Sequence, residues 1–318
     1  MTEFGYALSS EEHGPRELVD YARKAEETGF EFAMISDHFH PWTDAQGQSP
    51  FVWSVVGGIS QATSRLRLGT GVTCPLIRIH PAIIAHAAAT AAVLMEGRFF
   101  LGVGSGENLN EHVVGEIWPA PDERLSMLEE AIEVMRLLWQ GGEQTHRGDY
   151  YDVEQARLYT LPDDPVQLAV AASKPNAAEL AGRLGDAFVS TAPDAEVVEA
   201  FESSGGAGKP KYGQITCCWA ASEEEGSRTA CEIWPNAALG GELTYELPLP
   251  RHFEQATEKV APEELAEEIP CGPDPDRFLE DIRKYEEAGY THIYFHQVGH
   301  DQDGFFRFWR EELDPKLS

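Results

Sequence analysis

The chain is predicted to be an α/β protein, a single-domain (β/α)8 barrel (residues 1–318) with an insertion at about residues 223–271. Three observations predict it. Short apolar runs alternate with helical periods from Phe4 to His296, the pattern of parallel strands joined by crossover helices. The length of 318 residues suits one large barrel with an insertion, and no linker divides it. The unit Glu26–His38, an acidic helix end, Gly29 and a strand, is echoed at Glu286–Val298 around Gly289, as expected of repeats that close on themselves.

The elements follow in order. Phe4–Leu8 is a first strand, and Pro15 opens a helix whose Leu18, Ala22 and Ala25 share a face before Gly29 stops it. Glu31–Met34 is too short for a helix and reads as a buried strand that delivers Ile35–Trp42. Pro50–Ala62 is helical, Leu66–Val72 a strand, Pro81–Met95 an Ala-rich helix and Phe99–Val103 a strand. Leu125, Leu128, Ile132, Met135 and Leu138 keep helical spacing. Residues 148–165, with Tyr150, Tyr151 and Tyr159, break the rhythm as an excursion on the rim. Strands at Val166–Ala172, Ala187–Ser190, Gln214–Ala220 and Thr291–His296 complete the set, with helices at Asn176–Leu184 and from Pro275, and a loop at 203–211.

Composition narrows the function. Acidic residues number 54 against 24 basic, a net charge of −30, so nothing would neutralise phosphates along a nucleic acid. Such self-repulsion is relieved where salt shortens the Debye length, which points to a salt-adapted host. No run is long and apolar enough to span a bilayer, and the N-terminus lacks a basic-then-apolar signal, so the expected location is cytoplasmic. Five cysteines without a C-x-x-C pair suggest reduced thiols, and the scattered histidines suggest no metal site.

Four windows at strand ends carry candidate chemistry. In a barrel of parallel strands those ends face the mouth where reactions take place. Asp37 and His38 with Trp42 place an ionisable base beside an aromatic N–H donor, on a loop stiffened by Pro41. Thr70–Arg78 places small residues, among them Gly71, Val72 and Thr73, where a strained peptide would lie under a planar ring. Its Cys74 has no basic partner nearby and reads as a buried thiol. Gly102–Glu111 alternates glycines that let backbone approach a flat ligand, then presents Glu107, with Asn110 a helical turn on. Ala169–Asn176 runs small residues into a helix N-terminus that favours a phosphate, with Lys174 adding charge. Glu11, after the first strand, would reach the same mouth, though a solvated carboxylate or helix cap is its default reading.

Ser36–Trp42, Thr73–Ile84, Gly102–Glu107 with Asn110-Glu111, and Arg147–Tyr151 fall in the order and spacing of the luciferase-like family, and the chain resembles its coenzyme F420-dependent branch, the glucose-6-phosphate and secondary alcohol dehydrogenases. The resemblance covers nearly the whole chain. It implies a bacterial luciferase-like barrel, usually homodimeric, with F420 in the mouth over a bulge that often holds a non-proline cis peptide, here Gly71-Val72. It implies that His38 takes the proton from a substrate hydroxyl, Trp42 steadies the oxygen, Glu107 exchanges a proton near the ring, and Glu11 is a further acid. Asp37, Thr73, Asn110 and the run Ala171, Ala172, Ser173 and Lys174 then bind cofactor.

The substrate expected is an alcohol/carbonyl pair. The lysines and arginine that grip a sugar phosphate in the family have no match in Thr191–Asp194 or His252–Gln255, whereas Trp219 and Trp234 fall where the alcohol branch has pocket aromatics. A sugar 6-phosphate is the alternative. Two readings of other classes are an FMN-dependent monooxygenase of the same fold and a non-catalytic binding barrel.

Overall fold

A computed structural model describes residues 2–317. The barrel strands are β1 (Glu3–Leu8), β2 (Phe32–Ile35), β3 (Arg67–Thr70) and β4 (Phe99–Val103). A side hairpin follows, β5 (Gln144–Arg147) and β6 (Asp152–Ala156), and then β7 (Gln167–Ala171), β8 (Ala187–Ser190), β9 (Lys211–Cys217) and β10 (His292–Gln297) return to the barrel. Eight strands close in the order β1-β10-β9-β8-β7-β4-β3-β2, every neighbour parallel.

The helices are α1 (Pro15–Thr28), α2 (Val52–Ala62), α3 (Pro81–Leu94), a single turn α4 (Asn108–Glu111), α5 (Pro121–Trp139), α6 (Pro175–Leu184) and α7 (Ala195–Phe201). The insertion supplies α8 (Glu223–Ile233), α9 (Leu243–Glu246), α10 (Pro250–Thr257) and α11 (Pro262–Glu268), and α12 (Pro275–Glu287) and α13 (Gln302–Phe308) close the ring. Many begin on a proline, whose fixed φ suits a first turn that has no partner for its N–H. Gly29, at φ 104°, ends α1 in the left-handed conformation that glycine adopts without strain.

Phe32, Met34, Phe100, Tyr212 and Tyr294 fill the barrel from within. Gly69 makes room for this packing, since a Cβ there would lie 2.1 Å from the Phe100 ring. A larger apolar layer joins the outer strand faces to the helices. A third cluster, with Ile233, Trp234, Leu265 and Val298, seats the insertion, whose ends meet where Cys218 pairs with Cys271.

Three elements differ from expectation. β9 starts at Lys211 rather than Gln214, because the Lys211 ammonium is satisfied at 2.6 Å by Glu202 and its stem is buried at the base of the barrel. The excursion holds the polar hairpin β5–β6, whose turn is held by Glu130 accepting the N–H groups of Asp149, Tyr150 and Tyr151. Helix α13, after β10, packs Phe306 on Tyr6, 4.7 Å between centroids, and supplies the eighth helix of the ring.

Candidate active site

Every barrel strand sends residues to one rim, where a cavity of about 700 Å³ opens. Glu11 follows β1, His38 and Trp42 follow β2, Gly71 and Val72 follow β3, Glu107 follows β4, and Ala171–Lys174 end β7. These side chains share the cavity wall, as do Trp234 and Glu246 from the insertion.

At its centre is an imidazole backed by a carboxylate. His38 Nε2 is 3.3 Å from Glu11 Oε1, and both side chains are nearly inaccessible. The Ser36 and Ser9 hydroxyls donate to Glu11 Oε2 at 2.5 and 3.1 Å. Burial pushes the Glu11 pKa up, but His38, the Ser36 hydroxyl and a local backbone N–H outweigh it and leave the carboxyl below its ordinary value. Glu11 therefore stays anionic. The other ring nitrogen, Nδ1, lies 3.1 Å from both the His40 carbonyl and Asn110 Nδ2. Trp42 leans over this ring at 5.1 Å between centroids and is braced on its far side by Phe253 of α10.

Behind this wall lies a buried ionic frame. Arg78 Nη2 donates to Asp37 Oδ1 at 2.8 Å, and Glu111 accepts the Arg78 backbone N–H at 2.7 Å. Thr73 Oγ1 donates to Asp37 Oδ2 at 2.8 Å. Burial raises the Glu111 pKa, partly opposed by Arg78 and backbone donors. Asn110 accepts the N–H groups of Phe39 and His40 on Oδ1, so α4 fixes the shape of the loop carrying His38.

The floor is built of small and apolar residues. The Gly71-Val72 peptide is cis, and with Gly104, Ala171 and Ala172 it offers surface without long side chains. At the edge, Lys174 occupies the N-cap position of α6, and Ser173 Oγ lies 3.1 Å from the hydroxyl of Tyr245 in α9.

The residues picked from sequence thus divide. His38, Trp42, Glu107, Glu11, Gly71, Val72, Ala171, Ala172, Ser173, Lys174 and Trp234 line the cavity. Asp37, Thr73 and Asn110 do not; each is at most 4% exposed and stands one layer behind, positioning the loops. Trp219 is a correction. The chain turns at Cys218 to pair with Cys271, so the indole packs towards Phe308 and Gly304 outside the cavity. Cys74 is enclosed and its thiol pKa is pushed well up by burial, which removes it as a nucleophile. Sequence reasoning missed the frame role of Arg78 and the pair Glu12–His296, because the partners come from segments far apart in the chain; only the placement of Glu12 beside Glu11 hinted at the second.

Fold and site define a (β/α)8-barrel enzyme with a buried acid–base pair beside a small-residue floor. The chain belongs to the luciferase-like monooxygenase family, whose model matches residues 1–292. It is 36% identical over 333 residues to the F420-dependent glucose-6-phosphate dehydrogenase of Segniliparus rotundus, covering 99% of this chain and 98% of the relative. The enzyme of the same name from Mycobacterium tuberculosis is 35% identical, with the same coverage. Among solved structures, an F420-dependent secondary alcohol dehydrogenase in complex with an F420-acetone adduct superposes with a TM-score of 0.91 at 29% identity over 98% of each chain. The coenzyme F420-dependent tetrahydromethanopterin reductase of Methanopyrus kandleri shares the fold, with a TM-score of 0.80 at 19% identity.

Proposed function

We propose that the chain is a coenzyme F420-dependent dehydrogenase that interconverts an alcohol and its carbonyl compound. The observation that carries this reading is the buried His38–Glu11 pair, held at 3.3 Å beside the apolar floor. The residues present fit the coenzyme. The small-residue floor suits a planar tricycle, and the N-terminus of α6 with Ser173 and Lys174 suits the phosphate of its tail. Bound there, F420 supplies a ring carbon that accepts or returns a hydride.

The chain's own residues do the rest. With its Nδ1–H donated to the His40 carbonyl at 3.1 Å, His38 takes the hydroxyl proton on Nε2, and the anionic Glu11 stabilises the imidazolium that results. Trp42 directs its indole N–H at the substrate oxygen as charge develops there. Glu107, which lines the cavity from the loop after β4 and accepts from Asn110 Nδ2 at 3.4 Å, holds or releases the proton needed at the ring edge. Asp37, Thr73, Arg78 and Asn110 keep these groups in register. A glucose 6-phosphate reading is favoured by the names of the relatives above, and the same proton steps would serve it.

The protein further reads as a cytoplasmic homodimer of a salt-adapted cell; its charge of −30 supports the last point, and among the described residues no helix is long and apolar enough to cross a membrane. The test is loss of the oxidised deazaflavin absorbance when secondary alcohols, and separately glucose 6-phosphate, are added to the F420-loaded protein in molar KCl. Reduction by an alcohol is expected; no reduction by any member of either set would refute the dehydrogenase reading.

A further inference from the structure

On the reading of this chain as an F420-dependent alcohol dehydrogenase, the cavity holds a second imidazole that the hydride and proton steps do not use. His296, at the end of β10, is 3% exposed and lines the cavity beside Trp234, 4.3 Å between ring centroids. Its Nε2 is 2.9 Å from Glu12 Oε1, and Glu12 Oε2 accepts the N–H of Gly299 at 2.8 Å. A carboxylate fixed in this way accepts the Nε2–H hydrogen bond and keeps the proton on Nε2, so the neutral ring has Nδ1 as an acceptor. Nδ1 is buried and has no hydrogen-bond partner. A buried acceptor left bare is costly unless a ligand satisfies it.

The placement repeats that of the catalytic pair. β2 and β10 flank β1 on its two sides, and the consecutive residues Glu11 and Glu12 at the end of β1 each back one imidazole. Two strand spacings put β2 and β10, the strands that carry the two imidazoles, about 10 Å apart, a span that a small substrate with two polar ends can bridge once the side chains reach inward.

Charge limits what that substrate is. Three cations line the cavity: Lys174 serves the coenzyme's tail on the reading above, and the other two already have carboxylates, Arg124 with Glu246 at 3.0 Å and Lys284 with Asp281 at 2.7 Å. Glu268 adds a further carboxylate to the wall. A phosphate monoester would have to break these pairs and settle among the displaced anions, whereas a hydroxyl meets a waiting acceptor.

We propose that His296, held by Glu12, is a specificity residue whose Nδ1 accepts a hydrogen bond from a second hydroxyl, and that the substrate is an uncharged polyol or hydroxyketone rather than a phosphate ester. A site built to bind a hydroxyl discriminates against the analogue lacking it.

The experiment compares butane-1,3-diol with butan-2-ol, and D-glucose with glucose 6-phosphate, in the wild-type holoenzyme and in His296→Phe and His296→Gln. In the wild type the diol or glucose is expected to be the better member of its pair. His296→Phe should lower kcat/KM for that polyol about tenfold, mostly through KM, while butan-2-ol changes less than about twofold, and His296→Gln should restore part of the loss. Equal losses on diol and mono-ol, or glucose 6-phosphate preferred over glucose, would overturn the proposal. ¹⁵N-histidine spectra of the unmodified protein, with and without F420, decide the matter even if the variants do not fold: the diol should move the His296 Nδ1 resonance and butan-2-ol should not, and identical responses would overturn it. Failure of F420 to quench the protein's fluorescence would instead sink the cofactor reading, which these spectra do not depend on.

Discussion

His38 Nε2 and Glu11 Oε1 lie 3.3 Å apart on the cavity wall, both side chains nearly inaccessible, and the ring's opposite nitrogen is held by the His40 carbonyl and the Asn110 amide. Orientation from both sides makes this imidazole a fixed proton acceptor. Replacing His38 with Ala should lower kcat by about 10²–10⁴-fold, the usual contribution of a positioned base. The F420 dissociation constant should barely move, since the floor is untouched. Stopped-flow reduction and a fluorescence titration measure the two quantities; full activity in the variant would remove His38 from the proton step.

Glu11 carries a pH signature. Its folded pKa lies below the ordinary 4.5, so its stabilisation is present above the unfolded value and is lost as pH falls through the folded one. Glu11→Gln should therefore have a lower Tm than wild type at neutral pH, and the gap should close below about pH 4. Thermal melts across that range check it, and a gap independent of pH would mean that Glu11 is not held anionic by its neighbours.

Arg78 is the hub of the frame behind the cavity. Arg78→Ala leaves Asp37 and Glu111 buried without their cation, which should cost about 3–5 kcal/mol. Denaturant unfolding gives the value. Glu111 has a raised pKa, so whatever it contributes is present at low pH and declines as pH rises through the folded value; the deficit of Arg78→Ala should then shrink on mild acidification.

Much of this was legible in the chain. β1, β2 and β4 and the rim loops were readable because strand-length apolar runs end in polar or glycine-rich segments, and parallel topology then sends all those ends to one face. The hairpin β5–β6 was not, since Gln144–Arg147 and Asp152–Ala156 lack an apolar face, and their pairing depends on Glu130 three turns back in α5. The division between residues that touch the cavity and those that hold them was hidden as well. Asp37 and His38 are neighbours in sequence, yet one faces Arg78 and the other the cavity, and Trp219 is turned away by a backbone pairing 53 residues distant.

The acidic surface makes a prediction of its own. With a net charge of −30, screening should relieve repulsion in the folded state, so Tm should rise between low and molar KCl. An unchanged or lower Tm in molar KCl would contradict salt adaptation.

The most direct test of the account is a titration of the purified protein, in molar KCl, with F420 and separately with FMN. The account predicts saturable binding of F420, weaker binding of FMN, and bleaching of the bound deazaflavin when an alcohol is added. Preferential binding of FMN, with F420 left unbound, would contradict it and move this barrel to flavin monooxygenase chemistry.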